Sequence, residues 1–113
     1  MADCIFCRIA AGEIPSNKLY EDDQLLAFYD LDPQAPTHFL VIPKVHIASV
    51  AEITPQNSAV VAHICEVIAR LAAEPGLEQG FRVVTNCGPQ GGQTVPHLHF
   101  HVLAGRDMTW PPG

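Results

Sequence analysis

The stretch "TVPHLHFHVLAG" sets His97, His99 and His101 at every second position, so half of the chain's six histidines fall within five residues. On a β-strand successive side chains point to opposite faces. The three imidazoles then share one face, and Leu98, Phe100 and Val102 take the other. Three core histidines in strict alternation would be costly, because every buried ring nitrogen needs a partner. Two chemistries fit the row. One is metal binding, but alternate strand residues stand ~6.7 Å apart. An imidazole reaches a metal only roughly 6 Å from its own Cα, so one ion shared by all three demands a sharply bent strand. The other divides the labour. Neutral imidazole is a nucleophile at physiological pH and its protonated form donates to phosphate. A central histidine then attacks phosphorus while a neighbour binds the non-bridging oxygens. Just upstream, "GPQGGQT" supplies Gly91 and Gly92, whose backbone can approach an anion closely, beside the polar Gln93 and Thr94.

Cys4 and Cys7 form a C-x-x-C, which reads as a redox pair, half of a zinc site, or two reduced thiols. Redox motifs of the thioredoxin kind follow a strand within a βαβ pattern, and only three residues precede this one. Of the other cysteines, Cys65 falls in a helical pattern and is expected in the core, whereas Cys87 reads as a loop residue. His63 lies in the same helix with no motif around it and reads as an exposed or interface histidine.

The elements that must position these groups follow from periodicity and breakers. "CIFCRIAAGEIP" predicts a short helix stopped at Gly12. "KLYEDDQLLAFYDL" predicts a hairpin turning at Glu21-Asp22-Asp23-Gln24. "THFLVIPK" is a strand closed by Pro43. A helix capped by Thr54 with Pro55 at its first position carries Val60 or Val61, Ile64, Val67 or Ile68, and Leu71 at helical spacing, and ends at Pro75-Gly76. "GFRVVTN" and "VPHLHFHVLAG" are the last two strands, flanking the loop "CGPQGGQT". The order α-β-β-β-α-β-β predicts an α+β domain of mostly antiparallel strands with one main helix packed on a face.

A chain of 113 residues with 48% hydrophobic and 16% charged residues fits one globular domain. Its net charge of −6, with six scattered cations, argues against nucleic acid as a partner. With no apolar run of about 20 residues and no signal peptide, no membrane partner and a cytoplasmic location are expected. Disulfides are then a poor default for the four cysteines.

With "HLHFHVL", "DLDPQAPTHFLVIPKVHI", "GGQTVPHLHFHVLAGR" and the closing "WPPG" in order, the chain from about Cys4 onward resembles the histidine triad (HIT) family, in its nucleotide-binding branch. The resemblance implies a HIT-like α+β fold over residues 1–113: a five-stranded antiparallel sheet, a long central helix and a short N-terminal helix, paired as a homodimer through helices and strands. It implies binding of purine nucleoside monophosphates such as AMP or GMP. It also implies hydrolysis of nucleoside phosphoramidates through a covalent nucleotidyl-histidine. His99 would be the nucleophile, His101 the α-phosphate ligand and His38 the completion of the cluster. Asp30 would hold the ribose hydroxyls with Leu31 beside the base, and Asn86, Gly92, Gln93 and Thr94 would form the phosphate and leaving-group loop. Many relatives have serine at Thr94; the hydroxyl survives, and the added methyl narrows the pocket. The "DCIFC" start is similar to a branch whose cysteines recruit the histidine of "IPKVHI" and the first triad histidine, implying a structural zinc on Cys4, Cys7, His46 and His97. The terminus around Trp110 would pack near the partner's active site. No acidic metal motif is evident, so catalysis is expected without Mg²⁺. The alternatives are a dinucleoside polyphosphate hydrolase and a nucleotide-binding regulatory module with incidental catalysis.

Overall fold

Two apolar runs, "LLAF" and "FLVI", build the centre of the sheet. The computed structural model describes residues 3–113. In it, helix α1 (Ile5–Ala10) precedes strands β1 (Lys18–Glu21), β2 (Leu25–Tyr29) and β3 (Thr37–Pro43). Helix α2 (Ser58–Leu71) and strands β4 (Phe81–Val84) and β5 (Phe100–Ala104) follow. All neighbours pair antiparallel in the order β1-β2-β3-β5-β4. This is the five-stranded α+β fold expected, with a long and a short helix.

Residues alternate strictly between the two faces. Leu25, Ala27, Phe39, Val41, Phe100, Val102 and Ala104 join Ile64, Val67 and Ile68 of α2 in one core. Leu26, Phe28, Leu40 and Ile42 join Cys4, Phe6 and Ile9 at α1 in a second. Both faces of β2 and β3 are therefore covered, which is why those strands read as continuous apolar runs rather than as an alternation. His101 lies opposite Leu40, so it faces the α1 side, as does His38 two residues before Leu40.

Three local expectations are corrected. The last strand does not contain the whole histidine row: pairing begins at Phe100, and His97 and His99 precede it. There the Leu98 amide turns to the Ile47 carbonyl (2.6 Å), and the His99 carbonyl accepts from the Thr85 hydroxyl (2.8 Å) rather than from a strand amide. Helix α2 starts after Asn57, not Thr54. Asn57 is spent on the Thr54 amide and the Glu52 carbonyl, which closes a separate turn ahead of the helix. Cys65 is exposed, not buried, because Ile64, Val67 and Ile68 point the helix's apolar face at the sheet and leave 65 outside it.

Asp22 ties the hairpin to α2. It accepts from the Gln24 and Leu25 amides (2.8 and 2.9 Å), the Tyr20 hydroxyl (2.8 Å) and the His63 ring (2.6 Å). Burial pushes its carboxyl up, but hydrogen bonds from His63, Gln24, Tyr20 and Leu25 outweigh that and hold it well below the usual carboxylate range. His63 is thus a half-buried fold contact. Asp22→Asn is expected to cost about 1–3 kcal/mol at neutral pH, measured by urea unfolding. A carboxyl lowered by folding stabilises above its unfolded value of about 3.9. The gap between wild type and variant should therefore close as pH falls through the lower folded value.

Candidate functional site: a metal cluster beside a histidine relay

The bend before β5 and the start of α1 bring together residues ninety or more positions apart. Cys4 Sγ and Cys7 Sγ stand 3.2 and 3.5 Å from His97 Nδ1, and Cys7 Sγ stands 3.2 Å from His46 Nδ1. The four donor atoms all lie within 4.8 Å of one another. A tetrahedral Zn²⁺ with Zn–S of ~2.3 Å and Zn–N of ~2.0 Å sets its S···N separations at roughly 3.5 Å. The donor set and its spacing fit zinc. His97 is completely buried, and its Nε2 lies 2.8 Å from the Pro43 carbonyl. A carbonyl only accepts, so Nε2 carries the proton and Nδ1 presents its lone pair to the sulfurs. Burial lowers the His97 pKa, with His46 and His99 adding to the effect against the Pro43 bond, so the ring is held in the neutral form that ligates. Burial and the neighbouring Cys4 push the Cys7 thiol up, an opposition to charge that a divalent cation removes.

Next along the row, His99 Nδ1 lies 2.7 Å from the His97 carbonyl. The same reasoning puts the proton on Nδ1 and leaves Nε2 with a free lone pair. The His99 ring packs against His101 (5.0 Å, 67°) and Phe6 (5.0 Å, 85°). His101 Nδ1 lies 3.0 Å from His38 Nε2, which is 3.5 Å from an Asp30 carboxylate oxygen. His38 Nδ1 accepts from the Gln34 amide (3.0 Å), so its proton sits on Nε2 and points at His101. His101 in turn keeps its proton on Nε2. Burial lowers the His101 pKa, with His99 and His38 adding to this and Asp30 opposing it.

Asp30, His38 and His101 also gather within 4.8 Å, close enough for a cation. The Gln34 amide speaks against one, because it places a proton on the very atom of His38 that an ion would need. This cluster is a hydrogen-bonded relay, whereas the cysteine cluster is a cage.

The glycine-rich loop is shaped by its own side chains. Asn86 donates to the Gly91 carbonyl (2.6 Å). Gln93 accepts from the Gly88 amide (3.0 Å) and donates to the carbonyls of Ala48 (2.7 Å) and Val95 (3.0 Å). A Cβ on Gly91 would stand 2.2 Å from the Cys87 carbonyl oxygen, and Gly92 has φ +78°, so both positions need glycine. Asn86 and Gln93 thus hold the loop's form, and Thr94 is exposed at its end. Leu31 projects into solvent beside Asp30, and Trp110 is likewise exposed. Phe6, the Gln34 amide and the Pro43 carbonyl are site components that sequence reading missed. Two are backbone groups, which no residue type reveals, and Phe6 reads simply as an apolar residue of a short helix.

The HIT domain family model matches residues 11–108. The chain belongs to the HIT family. A HIT family hydrolase from Legionella pneumophila superposes with a TM-score of 0.95 at 50% identity, covering 98% of this chain and 100% of that one. A histidine triad protein from Clostridium difficile does so with 0.92 at 53%, covering 96% of each. The 14 kDa zinc-binding protein of Zea mays is 47% identical over 96% of this chain and 87% of its own length. This HIT chain therefore has the fold of hydrolase-type members, with a zinc-type cage on Cys4, Cys7, His46 and His97.

Wild type purified without added metal should hold about one Zn²⁺ per chain by elemental analysis. Cys4→Ser should hold well under half of that and melt at a lower temperature; full occupancy in the variant would remove Cys4 as a ligand.

Proposed function

We propose that this protein is a purine nucleoside phosphoramidase, binding AMP or GMP and cleaving the P–N bond of nucleoside phosphoramidates through His99. The observation that carries the reading is the hydrogen-bond pattern along the row, which assigns an unprotonated Nε2 to the buried His99 beside a protonated Nε2 on His101. The His99 lone pair attacks phosphorus, and the P–N bond breaks with its electron pair leaving on nitrogen. An amide anion is a poor leaving group, so a proton must arrive with the break. It comes from His101 Nε2–H, backed by His38, or from the Thr94 hydroxyl. Water then attacks the nucleotidyl-histidine, returns the electron pair to His99 Nε2, restores the donor's proton and releases the nucleoside monophosphate. Asp30 accepts from ribose hydroxyls with Leu31 against the base, and Asn86, Gly92, Gln93 and Thr94 frame the phosphate. Zinc, when bound, supplies a structural cross-link at Cys4, Cys7, His46 and His97, and no step passes through it.

The same reading includes a homodimer. β4 is an edge strand, and Phe81 and Val83 lie opposite Ala104 and Val102, on the α2 side, yet remain exposed. Ala62, Cys65 and Ala69 leave an exposed small-residue face on α2 itself. A two-fold copy covers both and pairs the edge. The cytoplasm is the compartment that suits four unpaired cysteines.

Wild type should turn over an adenosine phosphoramidate without added Mg²⁺ and prefer it to a diadenosine polyphosphate, and His99→Ala should lose at least about a thousandfold. Polyphosphate preference would select the dinucleotide hydrolase instead, and binding without turnover the regulatory module. By sedimentation, wild type should have twice the mass of Val83→Asp, whose charge at the seam blocks pairing.

A further inference from the structure

The cage and the relay meet at one residue and one ring. His97 gives its imidazole to the cage and its carbonyl to His99 Nδ1. Phe6, placed between the two cysteines in α1, packs edge-to-face on the His97 ring (5.9 Å, 78°) and on the His99 ring (5.0 Å, 85°). We propose that Phe6 is a positioning residue for His99, and that metal capture by Cys4 and Cys7 holds it there, so that metal occupancy sets the orientation of the catalytic imidazole. The inference rests on His99 as nucleophile and adds how its ring is kept in place.

The terminal torsion of a histidine is broad and roughly two-fold. One hydrogen bond from Nδ1 selects a ring orientation, and packing against the ring keeps it. Two aromatic rings pack on His99 among the described residues, and one of them, His101, belongs to the relay. Phe6 is the other. Its own position depends on α1, a six-residue helix too short to persist alone. Phe6 and Ile9 anchor it by burial, and the two cysteines anchor it through the cage. Losing the metal removes one of these two anchorages. His97, by contrast, keeps its bond to Pro43, so its carbonyl stays in place. The part that loosens is the wall, not the acceptor.

The test reads the ring directly. In ¹⁵N-labelled protein, long-range ¹H–¹⁵N spectra report the His99 tautomer, assigned by its loss in His99→Ala. Zinc-loaded wild type should show one form, protonated at Nδ1. Wild type stripped by a chelator should show an exchange-averaged pattern, with far-UV circular dichroism retained. Phe6→Leu, loaded with one zinc, should show the same averaging. Its kcat should fall about tenfold with KM within about twofold, whereas a ring that only lined the ligand pocket would raise KM. Phe6→Tyr, which keeps the ring, should restore the single form. An unchanged His99 spectrum in zinc-loaded Phe6→Leu, or in folded metal-free protein, would overturn the proposal. Turnover by His99→Ala would overturn the nucleophile reading instead, since the tautomer is read without substrate.

Discussion

The hydrogen bond from the His97 ring to the Pro43 carbonyl is the constraint on which the site depends. It spans 54 positions, is fully buried, and has a direction that its chemistry cannot reverse. Because Nε2 must donate, Nδ1 must face the cysteines with a lone pair. Because the ring is fixed, so is the bend that carries its carbonyl to His99. One bond thus determines which atoms can take a metal and, through the carbonyl of the same residue, which nitrogen of His99 carries its proton. Breaking it would leave a buried ring nitrogen without a partner, at a cost of about 1–3 kcal/mol, and would release both sites together.

The sheet makes this economy possible. Its two faces separate two tasks: the α2 side holds a dry apolar core, and the α1 side holds a smaller core edged by imidazoles. Leu98, Phe100 and Val102 anchor the histidine row from the far face, so the rings cannot rotate through the sheet. β3 lends His38 from the adjacent strand at a diagonal position, which closes the relay without any loop having to fold over it. A rigid row that leads into an interior strand suits chemistry that needs fixed donors in a chain with only six cations.

Much of this was legible in the sequence, and the limits have physical causes. Alternation in "HLHFHVL" correctly put the histidines on one side, because side-chain parity persists even where the strand ladder stops. Where the ladder stops was not legible: it is set by the Ile47 carbonyl and the Thr85 hydroxyl, contacts from distant segments. The cage residues came from resemblance, since spacing alone left Cys4 and Cys7 open among three readings. Cys65 was misplaced because several positions of α2 are apolar, and only the sheet selects which of them face inward. The Thr54 cap failed for a related reason: its motif is real, but Asn57 uses it to close a turn before the helix.

Two histidine clusters of similar compactness lie side by side, and residue types do not distinguish cage from relay. Hydrogen-bond direction does. In the cage, a carbonyl behind His97 takes the proton away from the facing atoms and leaves a lone pair towards the sulfurs. In the relay, an amide behind His38 does the opposite, pushing the proton forward to Nε2 and on towards His101. The polarity of one backbone group behind each ring decides whether the front of that ring attracts a cation or passes a proton. The same three-histidine row can therefore serve both uses without exchanging them: His97 is backed by an acceptor, the relay begins at a donor, and His99 lies between with its own proton held by the His97 carbonyl.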